Sequence, residues 1–189
     1  MEITRVHPYP YLKAMITTAI KVIGVGNAWR GDDAAGLLVA RRLAQEHLSQ
    51  VEISENLGTA GALADAWQDA ARVIIIDAVV AGGQPGDIYR FDAHDAAAAF
   101  PVSRSQSSHG WGVAEAVALG RLFQELPPVL IVYGIEGQNF TTGDGLSPAV
   151  AAAIPEAARR ITAELQAWAG QQNVGRALPA IGVLTKKAN

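Results

Sequence analysis

The chain of 189 residues contains no cysteine. That absence removes disulfides, thiolate metal sites and cysteine nucleophiles from consideration, and it is consistent with a reducing compartment. Charge is sparse as well: Asp, Glu, Lys and Arg make up 17% of the residues and the net charge is -3. Neither a basic patch for nucleic acid nor an acidic tail is expected, which leaves a small molecule or another protein as the partner. Long apolar runs are missing. The longest, Val73 to Ala81, is cut by Asp77 and falls far short of the roughly 20 residues that cross a bilayer, so no membrane insertion is expected. His7, Pro8, Pro10 and Lys13 interrupt the stretch where a secretory signal needs continuous apolar residues, and the expected location is the cytoplasm.

What is abundant is hydrophobic residues, at 50%, enough for one well-filled core in a chain too short for two comfortable domains. Met15 offers an alternative start, because the segment before it lacks periodicity and would then be dispensable. The expected organisation is an N-terminal extension over 1–19, one domain over 20–169 and a C-terminal tail over 170–189.

Runs rich in Val, Ile and Tyr predict strands at Lys21 to Val25, Val51 to Glu55, Arg72 to Asp77, Asp87 to Phe91 and Val129 to Tyr133. Between them lie helical patterns. Leu37, Ala40, Ala44 and Leu48 fall on one stripe, and Val113, Ala116, Val117, Gly120 and Phe123 on another. A last helix is predicted to start at Ser147 and Pro148 and to restart at Pro155, turning Ile154, Ala158, Ile161, Leu165 and Trp168 inward. Strands alternating with helices, with a core strand such as Val73-Ile74-Ile75-Ile76 apolar on both faces, predict an α/β fold. It is a three-layer αβα domain with a mostly parallel sheet of about five strands. Residues 93–108 read as a long loop, alanine-rich and then serine-rich, of the kind that is often functional.

In an open α/β sheet, ligands bind beyond the carboxyl ends of the strands, so polar residues just after strands are the candidates for chemistry. Asp33 lies in Gly31-Asp32-Asp33 between the first strand and its helix, Asp77 ends the third predicted strand, and His109 opens the helix after the long loop. Each has a plainer reading. Asp32 or Asp33 caps a helix N-terminus, Asp77 caps the turn after its strand, and His109 is an ordinary helix-start residue. Taken together, two carboxylates and one imidazole at one sheet edge form a donor set for a divalent transition metal with open coordination positions, unlike a closed structural zinc site.

Other chemistry finds little support. Gly24-Val25-Gly26-Asn27-Ala28-Trp29 begins like a dinucleotide fingerprint but carries Trp29 where the third glycine would permit close packing, so a nucleotide-binding oxidoreductase is a minor alternative. The HExxH, G-x-S-x-G and Walker A patterns are absent. Ser108 beside His109 makes no catalytic dyad, since sequence neighbours rarely present both side chains to one reacting atom.

Several short segments occur in a recognisable order: Gly24-Val25-Gly26-Asn27 followed by Gly31-Asp32-Asp33-Ala34-Ala35-Gly36, then Gly58-Thr59-Ala60-Gly61, Ile76-Asp77-Ala78, Ser108-His109-Gly110, Gly134-Ile135-Glu136 and Gly145-Leu146-Ser147-Pro148. This series resembles the hydrogenase maturation proteases over roughly residues 20 to 168. The resemblance implies a phosphorylase/hydrolase-like αβα fold. It implies an endopeptidase that removes a C-terminal extension from the large-subunit precursor of a nickel-iron hydrogenase once nickel has been inserted. It also implies metal contact by Asp33, Asp77 and His109, which become the expected catalytic and metal residues, with nickel carried by the substrate and no organic cofactor. Asn56-Leu57-Gly58-Thr59 departs from the Asp-Gly-Gly-Thr sequence of many members, and Ala34 stands where glycine is common. Whether nickel is only recognised or also takes part in catalysis stays open at this stage. So do a non-catalytic nickel chaperone and a peptidase with another substrate.

Overall fold

In the computed structural model, which describes residues 19–56, 59–95 and 112–176, the five apolar runs pair into one sheet. The strands are β1 (Ile20–Val25), β2 (Val51–Asn56), β3 (Arg72–Val79), β4 (Ile88–Asp92) and β5 (Val129–Glu136), in the order β2-β1-β3-β5-β4. β1, β2, β3 and β5 run parallel, and β4 lies antiparallel to β5 at one edge. β1, β3 and β5 are buried along most of their length, as central parallel strands covered on both faces must be. β3 runs two residues beyond the expected Asp77. β5 continues alongside it and pairs Ala78 with Ile135 and Val79 with Glu136, so Asp77 sits inside the strand, opposite Gly134, rather than at its end.

The helices are α1 (Ala35–Ala44), α2 (Ala60–Ala66), α3 (Val113–Phe123) and α4 (Pro148–Arg176). α2, with Trp67 that follows it, and α3 pack Leu63, Trp67, Ala116 and Val117 against Ile23, Ile75, Leu130 and Val132. α1 lies on the opposite face, bringing Ala40 against Gly24. The sheet is therefore the middle of three layers, as expected. The α1 stripe differs from the one predicted: Gly36, Val39, Ala40 and Leu43 are buried with Leu37, whereas Ala44 is exposed and Leu48 lies past the helix end. A helix confined to Ala35–Ala44 presents the i, i+3, i+4, i+7 set beginning at Gly36. Phe123 is 62% exposed, because it is the last residue of α3 and Gln124 turns the chain away at φ 58. α4 does not restart at Pro155 but continues through it, giving up the single backbone bond that a proline cannot donate.

By its contacts the chain divides into two compact units, residues 1–158 and 159–189. The first carries the sheet, α1, α2 and α3; the second carries the C-terminal part of α4.

Gly36 sets how closely α1 approaches the sheet. A Cβ there would overlap the carbonyl oxygens of both Ile76 and Val25, backbone atoms of β3 and β1 that cannot move aside singly. Gly36→Ala is expected to destabilise the protein by about 3 kcal/mol, at the upper end of the usual overpacking range, which urea unfolding followed by circular dichroism will read.

Candidate active site

The strand order fixes where a site can form. β1 feeds through α1 to β2 on one side, and β2 feeds through α2 to β3 on the other side of β1. The loops leaving β1 and β3 therefore diverge over a crevice at the carboxyl edge, the topological switch point where open α/β sheets bind ligands. Asp33 arrives there from the β1 side and Asp77 from β3.

The loop after β1 is built tightly. Gly26 has φ 139, and a Cβ on it would overlap the Asp33 carbonyl oxygen, so the chain folds back closely over the turn that carries Asp33. The Asn27 side-chain oxygen accepts from the Trp29 N–H at 2.9 Å and its carbonyl from the Arg30 N–H at 3.2 Å. A 3-10 turn over Gly31–Ala34 then delivers two consecutive carboxylates. Neither acts as the cap considered above, since neither this turn nor α1 has a side-chain cap.

The two carboxylates have different environments. Asp32 is fully buried at 0% exposure. One oxygen accepts the N–H groups of Gln138 and Asn139, both at 2.9 Å, and the other accepts the Ser147 N–H. The Ser147 hydroxyl lies near the same carboxylate without reaching hydrogen-bond geometry. Burial pushes the Asp32 carboxyl up, but the N–H groups of Asn139, Gln138 and Ser147 together outweigh it and hold the group below the ordinary aspartate value. Asp32 thus clamps the loop between β5 and α4 onto the β1 loop. Further bonds from Asp32 N to the Asn139 carbonyl, from Gly31 N to Asp144 and from Arg30 Nε to Phe140 reinforce the joint.

Asp33 is buried but less well satisfied. Burial drives its carboxyl above the ordinary range, and the Arg30 guanidinium at 4.0 Å and the Asn27 N–H offset this only in part. Asp77, equally buried, accepts from the Ala78 N–H at 2.9 Å. Strand alternation puts it on the sheet face shared with Val73 and Ile75, the face that α3 covers.

A fourth buried carboxylate, Glu136 at the end of β5, accepts the Ala81 N–H at 2.9 and 3.1 Å and the Gly82 N–H at 3.0 Å. It holds the β3–β4 loop as Asp32 holds the β5–α4 loop. Among the described residues, the buried polar side chains are Asp32, Asp33, Asp77, Glu136 and Ser147, and all five gather at this one edge of the sheet. Burying carboxylates is costly without compensation, so their concentration at the switch point makes it the candidate site.

The third expected metal residue, His109, and Ser108 beside it lie outside the described residues. α3 begins at Val113, after a Gly112 N-cap, rather than at His109. Within the described residues, no three of His, Cys, Asp and Glu converge as a metal site. Asp33 and Asp77 are thus the two candidates the structure describes. Sequence reasoning missed the structural roles of Asp32 and Glu136. Their motifs were visible, but the N–H partners of Asp32 lie more than a hundred positions away, and backbone donors leave no trace in side-chain chemistry.

Fold and edge together define an α/β protein with an acidic site at its switch point. Comparison with known proteins makes this more particular. The family profile described as hydrogenase maturation protease matches residues 38–164. The chain is 30% identical over 151 residues to the hydrogenase 2 maturation protease of Escherichia coli, covering 78% of this chain and 90% of that protein. It is 29% identical over 155 residues to the hydrogenase expression/formation protein HupD of Rhodobacter capsulatus, covering 79% of this chain and 72% of that protein. Its fold matches the solution structure of an endopeptidase from Escherichia coli with a TM-score of 0.65 at 25% identity, over 79% of this chain and 93% of that one. The chain belongs to the hydrogenase maturation protease family, and is accordingly a hydrolase of peptide bonds, an endopeptidase.

Proposed function

We propose that this protein removes the C-terminal extension of a nickel-iron hydrogenase large-subunit precursor in the cytoplasm, after nickel has been inserted, and that Asp33, Asp77 and His109 contact that nickel. The observation that carries the reading is the buried Asp33 carboxylate, raised above its usual range, on the β1 side of the same crevice that Asp77 enters from β3. A carboxylate kept in a site that disfavours its charge is poised for a cation or a proton. His109 precedes α3, whose N-terminus points to the carboxyl edge because the helix leads into the parallel strand β5. No helix among the described residues is long and apolar enough to cross a membrane.

Nickel here is part of the substrate. An unloaded precursor lacks the cation that Asp33 and Asp77 would meet, so it docks poorly and is spared, a specificity built from a difference of affinities. In hydrolysis water adds to the scissile carbonyl carbon, the C–N bond breaks and the new amine takes a proton; a carboxylate such as Asp33 can serve as the general base for that water. The test is to incubate the purified protein with nickel-loaded and nickel-free precursor and weigh the products by mass spectrometry. Loss of one defined C-terminal peptide from the loaded form alone is the expected result. Cleavage of both forms refutes the metal test, and an intact precursor in both refutes the substrate assignment.

A further inference from the structure

Trp29 is 78% exposed, yet the turn that carries it is firmly held. Its N–H is bonded to the Asn27 side chain, its carbonyl accepts from Gly143 N at 2.8 Å, and the flanking Arg30 N–H bonds back to Asn27. A large apolar ring displayed on a rigid turn loses little conformational freedom on binding and is the commonest type of interface anchor. Beside it opens a cavity of about 230 Å3 whose lining includes Asn27, Trp29, Leu37, Asn56 and the paired Arg41 and Glu55.

The position of this cavity ties it to the cleavage site. Gly26, in its lining, packs directly against the backbone of Asp33, whose carbonyl oxygen a Cβ on Gly26 would overlap. Val80, the other large apolar residue exposed at this edge, follows β3, so the two exposed apolar groups leave the carboxyl edge from the same two strands as Asp33 and Asp77. The remaining exposed pair among the described residues, Leu122 and Phe123, ends α3 at the opposite edge.

The chemistry of the lining selects the occupant. Arg41 is neutralised by a two-pronged pair with Glu55, with both bonds at 2.8 Å, so the rim offers no unpaired cation to a phosphate. The volume lies below the ~300–1,000 Å3 of small-molecule pockets and suits a single side chain. A peptidase must hold the chain on either side of the bond it cuts, and this cavity is continuous with the loop that presents Asp33.

We propose that Trp29 and the cavity beside it form a docking subsite for the polypeptide substrate, taking an apolar side chain of the precursor close to the cleaved bond. This rests on the reading of Asp33 and Asp77 as the cleavage site. The test compares wild type with Trp29→Ala on the nickel-loaded precursor. Because Trp29 is so exposed, the variant is expected to melt at the wild-type temperature. KM rises about tenfold or more while kcat stays within about twofold, the pattern of lost uniform binding. An unchanged KM overturns the subsite, and so does a collapse of kcat in the folded variant, which would put Trp29 in the chemistry instead.

Should the wild type fail to cut the precursor, the cleavage reading fails on its own and docking is read separately. The emission difference between wild type and Trp29→Phe then reports Trp29, and a blue shift on adding the loaded precursor is expected. Absence of that shift overturns the proposal. A shift produced by NAD, or by concentrating the protein alone, would assign the cavity to a nucleotide or to a second copy of the chain and overturns it equally.

Discussion

Asp33→Asn is expected to cut the cleavage rate on loaded precursor by about a hundredfold or more, the usual scale for removing a general base, while leaving the melting temperature at pH 7 equal to or above that of the wild type. The two halves of this result have one cause. Burial raises the Asp33 carboxyl above its ordinary value, and Arg30 only partly compensates. A folded-state pKa above the unfolded one means that the stabilising contribution is complete below the unfolded value, near 4. It is lost as pH rises through the folded value, above which the ionised group costs stability. An amide of the same shape removes that cost. Arg30 loses a partner at 4.0 Å but keeps its bond to the Phe140 carbonyl, which limits the penalty. Differential scanning calorimetry beside a cleavage assay will check both halves. If docking to loaded precursor survives while cleavage is lost, the carboxylate has a chemical role beyond recognition; unchanged cleavage sinks both versions of its role.

The adjacent residue should behave oppositely. Asp32→Ala is expected to destabilise the protein by about 3–5 kcal/mol, because three backbone N–H groups, those of Gln138, Asn139 and Ser147, lose their buried acceptor at once and orphaned donors of this kind cost about 1–3 kcal/mol each before relaxation. Asp32→Asn should fall between, since an amide has one acceptor oxygen where the native group uses two. The folded pKa of Asp32 is depressed, so its contribution is present above the unfolded value near 4 and disappears as pH falls through the folded value. Urea midpoints of wild type and Asp32→Ala will therefore converge in acid and stand apart at neutral pH. A constant difference down to the acid limit would show that the clamp does not depend on the charge of Asp32. These neighbouring aspartates illustrate a general distinction: a carboxylate that the fold satisfies is structural, and one that the fold penalises is a candidate for function.

Much of this architecture was legible in the chain. Val73-Ile74-Ile75-Ile76 can be buried on both faces only in a central parallel strand, and β3 is that strand, with β1 and β5 on either side. The switch-point rule picked out Asp33, Asp77 and His109; the structure buries Asp33 and Asp77 at that edge, and His109 lies outside the described residues. Where the reading erred, the missing information was non-local. The length of β3 depends on how far β5 runs beside it, and the buried stripe of α1 depends on where the 3-10 turn hands over to the helix. α4 passes through Pro155 because a long helix can lose one backbone bond, a tolerance that local propensity does not express.

The sequence by itself determined the class of fold, the sheet edge at which the candidate carboxylates Asp33 and Asp77 lie, and the family, because periodicity, strand composition and short motifs are local properties carried by neighbouring residues. Only the tertiary structure decided that Asp32 is a clamp of the fold and that Asp33 beside it is buried without matching compensation. That difference comes from three N–H groups brought to Asp32 by the loop between β5 and α4 and from the burial that closes around Asp33. Both are products of chain segments meeting in space, where hydrogen bonding and desolvation set the state of a charge.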